Sequence, residues 1–188
     1  MLVLCLGLAL FLLPHLFREF GLRDKFRNEL LGIPAYMGMY SVCALVGLAL
    51  IIWGKSIAPF VMVWEPVFEL RYISSILMIP AFIFVVAGNI PMSFIRWQLR
   101  NPMLLGVFIW GSAHLWANGD LASMLLFGSF SLWAGLKFVS LRNNFQSTLV
   151  PESGWLWRDL IAVVVGAIIY FIVYVSHGQL FGVGLAIN

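Results

Sequence analysis

The 188 residues are 62% hydrophobic and only 10% charged, with a mean hydropathy of +0.99 and a net charge of +3. So few charges cannot clothe a water-facing surface, which excludes an ordinary soluble fold. Nucleic acid is excluded as a partner as well, because the Lys and Arg residues form no cluster interleaved with exposed aromatics.

Taken in chain order, apolar runs separated by short polar punctuation place spans near 1–22, 35–54, 70–92, 102–118, 121–138 and 157–177. The runs are continuously apolar and lack the alternating period of membrane strands, so each is read as a helix. The fold class expected is all-α: a polytopic transmembrane helical bundle of about six helices, one domain over 1–188, with the lipid bilayer as its surroundings. The first run is expected to be retained as a span, since no basic leader or small-residue cleavage pattern accompanies it. Cys5 and Cys43 fall in spans of opposite direction and are expected as free thiols.

The connections carry the orientation. Arg18, Arg23, Lys25, Arg27, Arg96, Arg100, Lys137, Arg142 and Arg158 belong to the first, third and fifth, while Lys55 and Arg71 lie near the opposite ends. That asymmetry predicts cytoplasmic odd-numbered loops and both termini on the outer face of the membrane. The fourth and fifth spans are joined by Asn118-Gly119-Asp120, a link so short that they must form an antiparallel hairpin. Asp120 is placed to cap the fifth helix by accepting from the backbone N–H near Ser123. Ser131 and Gly135, four apart, offer that helix a face for close packing.

Residues capable of chemistry are few. His15 follows Pro14 in the first span, His114 is late in the fourth, and His177 ends the sixth; ionisable groups at such depth are functional candidates. Each also has a plainer role, hydrogen bonding that holds the bundle together. Gly111 and Asn118 lie on the His114 face at i−3 and i+4. A glycine there leaves room for a flat ligand, and imidazoles from two helices would make a b-type haem site; Gly111 serves helix packing equally well. Along the helix axis His114 and His177 both fall toward the outer face and His15 toward the inner one, so the choice of pair stays open. Glu65 and Glu69 read as a solvated interfacial patch near Arg71. No phosphate loop, HExxH, paired CxxC or serine elbow is present.

The stretch Arg100-Asn101-Pro102-Met103-Leu104-Leu105-Gly106 through Trp110-Gly111-Ser112-Ala113-His114-Leu115-Trp116-Ala117-Asn118-Gly119-Asp120 resembles the signature of the NnrU family of bacterial membrane proteins. His15, the segment Leu22-Arg23 through Leu31-Gly32 with Tyr36 and Tyr40, and the terminal His177-Gly178 with Leu180-Phe181-Gly182-Val183 are similar to further family motifs. The resemblance implies a link to denitrification and to expression of nitrite and nitric oxide reductases. It extends to the plastid 15-cis-ζ-carotene isomerases, which hold haem b through histidines corresponding to His15 and His114; a cysteine three residues before the second ligand is replaced here by Gly111. Arg100, Pro102 and Gly106 also resemble a segment of isoprenylcysteine methyltransferase-like enzymes that helps bind S-adenosylmethionine, with Asn101 and Leu104 departing from that pattern. Two functions are thus expected as alternatives. One is a redox enzyme or sensor with haem b on His15 and His114, His177 being the alternative partner, acting on a small hydrophobic or nitrogen-oxide ligand. The other is a cofactor-free membrane assembly or regulatory factor.

Overall fold

The computed structural model describes residues 1–17, 19–143, 153–183 and 185. Arg18 therefore lies outside the described residues, as does the side chain of Arg142. Eight α-helices are present among those described: α1 (Leu2–Leu16), α2 (Leu22–Asp24), α3 (Ile33–Ser56), α4 (Tyr72–Ala87), α5 (Phe94–Leu99), α6 (Pro102–Ala117), α7 (Leu121–Asn143) and α8 (Leu156–Phe181). A π-helical turn over Lys25–Leu30 continues α2, and 3-10 turns cover Phe68–Leu70 and Ser153–Trp155.

Three of the apolar helices, Ile33–Ser56, Leu121–Leu141 and Leu156–Phe181, are long and apolar enough to cross a membrane, with mean hydropathies of 2.0, 1.5 and 2.3. The other three, α1, α4 and α6, have 15, 16 and 16 residues. At 1.5 Å per residue they reach only about 24 Å, so the expected six spans stand as three helices long enough to cross and three shorter apolar ones. The outward faces of α3 and α8 hold Leu45, Ile52, Leu160, Phe171 and Val175 exposed. A soluble protein does not present such surfaces; acyl chains are their natural solvent.

The helices form a row. α3 packs on α1, α7 lies against that pair, α6 packs on α7, α4 on α6, and α8 on α4. Glycine sets the tight crossings: a Cβ on Gly7 would lie 2.7 Å from the Ile51 nitrogen and one on Gly47 2.8 Å from the Phe11 nitrogen, so α1 and α3 touch backbone to backbone. Gly106 and Gly166 do the same for α4 against α6 and α8. Where lipid is as apolar as any core, small residues at a seam are what distinguish one partner from another. The α7 seam is different, filled by large side chains: Leu4, Leu8, Leu12 and Ile51 meet Ala122, Leu125, Leu126, Phe130 and Trp133.

Two ends follow from this arrangement. At the hairpin end the segment after α3 closes over the Asn118-Gly119-Asp120 turn: Val63 and Trp64 N–H donate to the Gly119 carbonyl (2.8 and 3.2 Å) and Leu121 N–H to Val61 (2.8 Å). Gly119 has to be glycine, because a Cβ would run into the Trp64 carbonyl. At the basic end Ser93 caps α5 by accepting from Arg96 N–H at 3.1 Å. Asp159 of α8 accepts from the N–H groups of Phe94 and Ile95 at 3.0 and 3.1 Å, supplying the negative charge a helix start favours.

The expected boundaries need correction at three places. The first span ends at Leu16, since Pro14 removes a backbone donor and the chain turns away through Gly21 at φ +68°. The third ends at Ala87 rather than near 92, and α5 forms a separate short helix that hydropathy alone does not announce. α7 runs to Asn143, which carries Lys137 inside a helix rather than into a loop. Cys5 and Cys43 are free, as expected.

Candidate functional site

The two histidines of greatest interest are built alike. His15 Nδ1 lies 2.6 Å from the Phe11 carbonyl and His114 Nδ1 2.8 Å from the Trp110 carbonyl, each one turn back on its own helix. A carbonyl only accepts, so Nδ1 carries the proton in both and Nε2 is left as the free, metal-competent nitrogen. Each ring is also stacked, His15 on Phe11 and His114 on Phe127, both at 4.6 Å between centroids.

A layer of rings separates them. Phe11 meets Phe130 at 5.6 Å and Phe130 meets Trp110 at 5.7 Å. His15 lies four residues beyond Phe11 and His114 four beyond Trp110, on helices that run in opposite directions, so the offsets add to about 12 Å along the bundle. Two imidazoles on one iron need their nitrogens about 4 Å apart. As folded, the two imidazoles lie on opposite sides of this ring layer. The third histidine, His177, has its Nδ1 held by the Val183 carbonyl at 2.6 Å.

Gly111 and Asn118 take up the plainer of their expected roles. A Cβ on Gly111 would strike the Ser131 hydroxyl and come within 2.8 Å of the Phe127 carbonyl, so this glycine seats α6 on α7 and opens no slot for a ring. Gly135 plays the reciprocal part beneath Phe108. Asn118 Nδ2 donates to the His114 carbonyl at 2.8 Å and finishes α6. Asp120 caps α7 as expected, accepting from Ser123 N–H at 2.9 Å, and also pairs with Lys55 Nζ at 3.0 Å. Lys55 donates to Ser123 Oγ as well, at 2.8 Å.

The most unusual chemistry surrounds His15. Lys137 Nζ donates to the His15 carbonyl, stands 3.7 Å from Glu19 Oε2 and lies 5.8 Å over the Trp133 ring. Tyr40 and Trp133 rings flank the imidazole at 4.8 and 5.7 Å. Both Glu19 side chain and Lys137 side chain are only 16% exposed. Both carboxylate oxygens of Glu19 and the indole N–H of Trp133 are buried with no hydrogen-bond partner. Native structures leave few such groups, and a cluster of them invites water or a polar ligand. The sequence shows each charge singly, Glu19 late in the first apolar run and Lys137 late in the fifth, with nothing to pair them.

Residues 3–185 of the chain match the family model described as NnrU protein. No curated protein and no solved structure matches the chain at a significant level.

Proposed function

The chain belongs to the NnrU family, and we propose that it serves nitrogen-oxide metabolism from within the membrane as an assembly or regulatory factor centred on His15, Glu19 and Lys137. The observation that carries this reading is the buried Glu19 carboxylate, ion-paired yet without a hydrogen bond, in an otherwise apolar bundle. Its two oxygens accept, which suits a small polar ligand that donates. Lys137 is shared between Glu19 and the His15 carbonyl. Whatever satisfies Glu19 therefore changes the pull on Lys137, and with it the tie between α7 and the end of α1.

A second reading is favoured by the Nε2 left free when each Nδ1 is held by a carbonyl: a haem b held by His114 with His177, both late in helices that end at the hairpin end. Haem would supply redox or ligand-sensing chemistry; the protein's part is to fix the Nδ1 proton on the Trp110 carbonyl so that Nε2 is the ligand.

The visible spectrum of protein made with ample haem, oxidised and then reduced, separates the readings. The first expects colourless protein. It also expects Glu19→Gln, alone or with Lys137→Met, to lose most support of nitrite and nitric oxide reductase activity in a dependent host at normal protein levels. The paired variant removes both charges and avoids stranding one of them. Full support by both variants would overturn the first reading; sharp reduced bands abolished by His114→Ala would establish the second.

A further inference from the structure

We propose that the basic end of the row holds one anionic phospholipid, its acyl chain in the groove between α4 and α5 and its phosphodiester on Arg96 and Arg158. The groove has a volume of about 400 Å³ and is lined by Phe84, Phe94, Ile95, Trp97, Gln98 and Leu99. It is apolar, while its rim is not. Arg96 Nη1 donates to the Gly88 carbonyl at 3.1 Å and Arg158 Nη1 to the Pro91 carbonyl at 3.0 Å. Two guanidiniums thus stand on one loop of five residues, each with five donors of which only Nη1 is engaged there.

The vertical spacing suits a lipid. Gly88 is four residues beyond Phe84, so Arg96 sits about 6 Å above the inner wall of the groove, as a phosphate sits above the first acyl carbons. Arg96 is exposed, and Arg158 is propped against the Trp157 ring at 5.4 Å, an arrangement that holds a guanidinium at the headgroup level. α5 itself is fixed for the purpose. Met92 at φ +53° and Arg100 at φ +65°, both unfavourable for non-glycine residues, bracket it, and Asp159 pins its start. Strain of this kind persists where the surroundings hold a segment in one place. Charge complementarity chooses the occupant: Arg23, Lys25, Arg27, Arg100 and Lys137 share this end with the two arginines, and basic pockets at helix ends select anionic headgroups.

Native mass spectrometry of delipidated protein offered phosphatidylglycerol and phosphatidylcholine of equal chain length tests the proposal. One phosphatidylglycerol should be retained, preferred roughly tenfold over phosphatidylcholine. Arg96→Gln with Arg158→Gln should bring the two lipids to parity. Arg23→Gln with Arg27→Gln, the same charge change at the same end, should leave the preference intact. Should the arginine pair prove necessary for folding, Leu99→Trp, which fills the groove, carries the test: retention of both lipids should fall. Parity on the unaltered protein, an unchanged preference in the Arg96 and Arg158 variant, undiminished retention in Leu99→Trp, or a second copy of the chain in place of lipid would each overturn it.

Discussion

Asp120 concentrates three interactions on one carboxylate that is 13% exposed: the cap on α7, the ion pair with Lys55, and through Lys55 a link to Ser123. Burial pushes its carboxyl up, but the hydrogen bonds from the Ser123 side chain and backbone and from Lys55 outweigh that and hold it below its usual value of 3.8. A carboxylate depressed in the folded state contributes stability above its unfolded pKa and loses it as pH falls through the folded value. Asp120→Ala should therefore cost about 1 kcal/mol through the lost cap, while Asp120→Asn, which keeps a capping oxygen, should cost less. Thermal unfolding in detergent should show the gap between wild type and Asp120→Ala narrowing below about pH 4; a gap constant down to pH 2 would mean the charge is irrelevant. The cap was legible in the sequence because Asp before an apolar run is a local signal. Lys55 was not, because a pair 65 residues apart leaves no periodic trace; Glu19 with Lys137 was hidden for the same reason.

Among the elements, the apolar helices were legible from their runs of hydrophobic residues, whereas α5 was not: six residues with an arginine and a glutamine make no apolar run, and beside the local Ser93 cap its start is held by Asp159 on a distant helix. Which helices touch was also obscure, because helices apolar all round lack a one-sided stripe. The seams are written in glycine positions instead, and two of them allow a sharp contrast. Gly111 faces the α7 backbone with no space for a Cβ, while Gly128 on α7 has only the Leu115 side chain at 4.0 Å. Gly111→Ala should destabilise by about 1–3 kcal/mol through overpacking. Gly128→Ala should be neutral or stabilising by up to about 1 kcal/mol, from helix propensity. Melting of the two variants in the same detergent decides it; equal effects would mean that α6 and α7 are not seated as described.

At the scale of the whole molecule, charge asymmetry is the property that the row of helices organises. Arg23, Lys25, Arg27, Arg96, Arg100, Lys137 and Arg158 gather at the end opposite the hairpin. Lys55 and Arg71 lie toward the hairpin end, so the Lys and Arg residues divide unequally between the two ends. Short basic loops stay on the cytoplasmic side, so the basic end should face inward and the hairpin end outward. Cysteine scanning tests this once the native thiols Cys5 and Cys43 are replaced by alanine. Phe60, 73% exposed beside the hairpin, and Phe20, 66% exposed at the basic end, are suitable positions because neither supports a seam. Position 119 itself is unsuitable, since any side chain there meets the Trp64 carbonyl. A membrane-impermeant maleimide applied to intact cells should label Phe60→Cys and spare Phe20→Cys until the cells are opened. The reverse pattern would place the basic end outside and move the proposed lipid to the outer leaflet; labelling of both positions in intact cells would mean that these helices do not carry the chain across the membrane as a row.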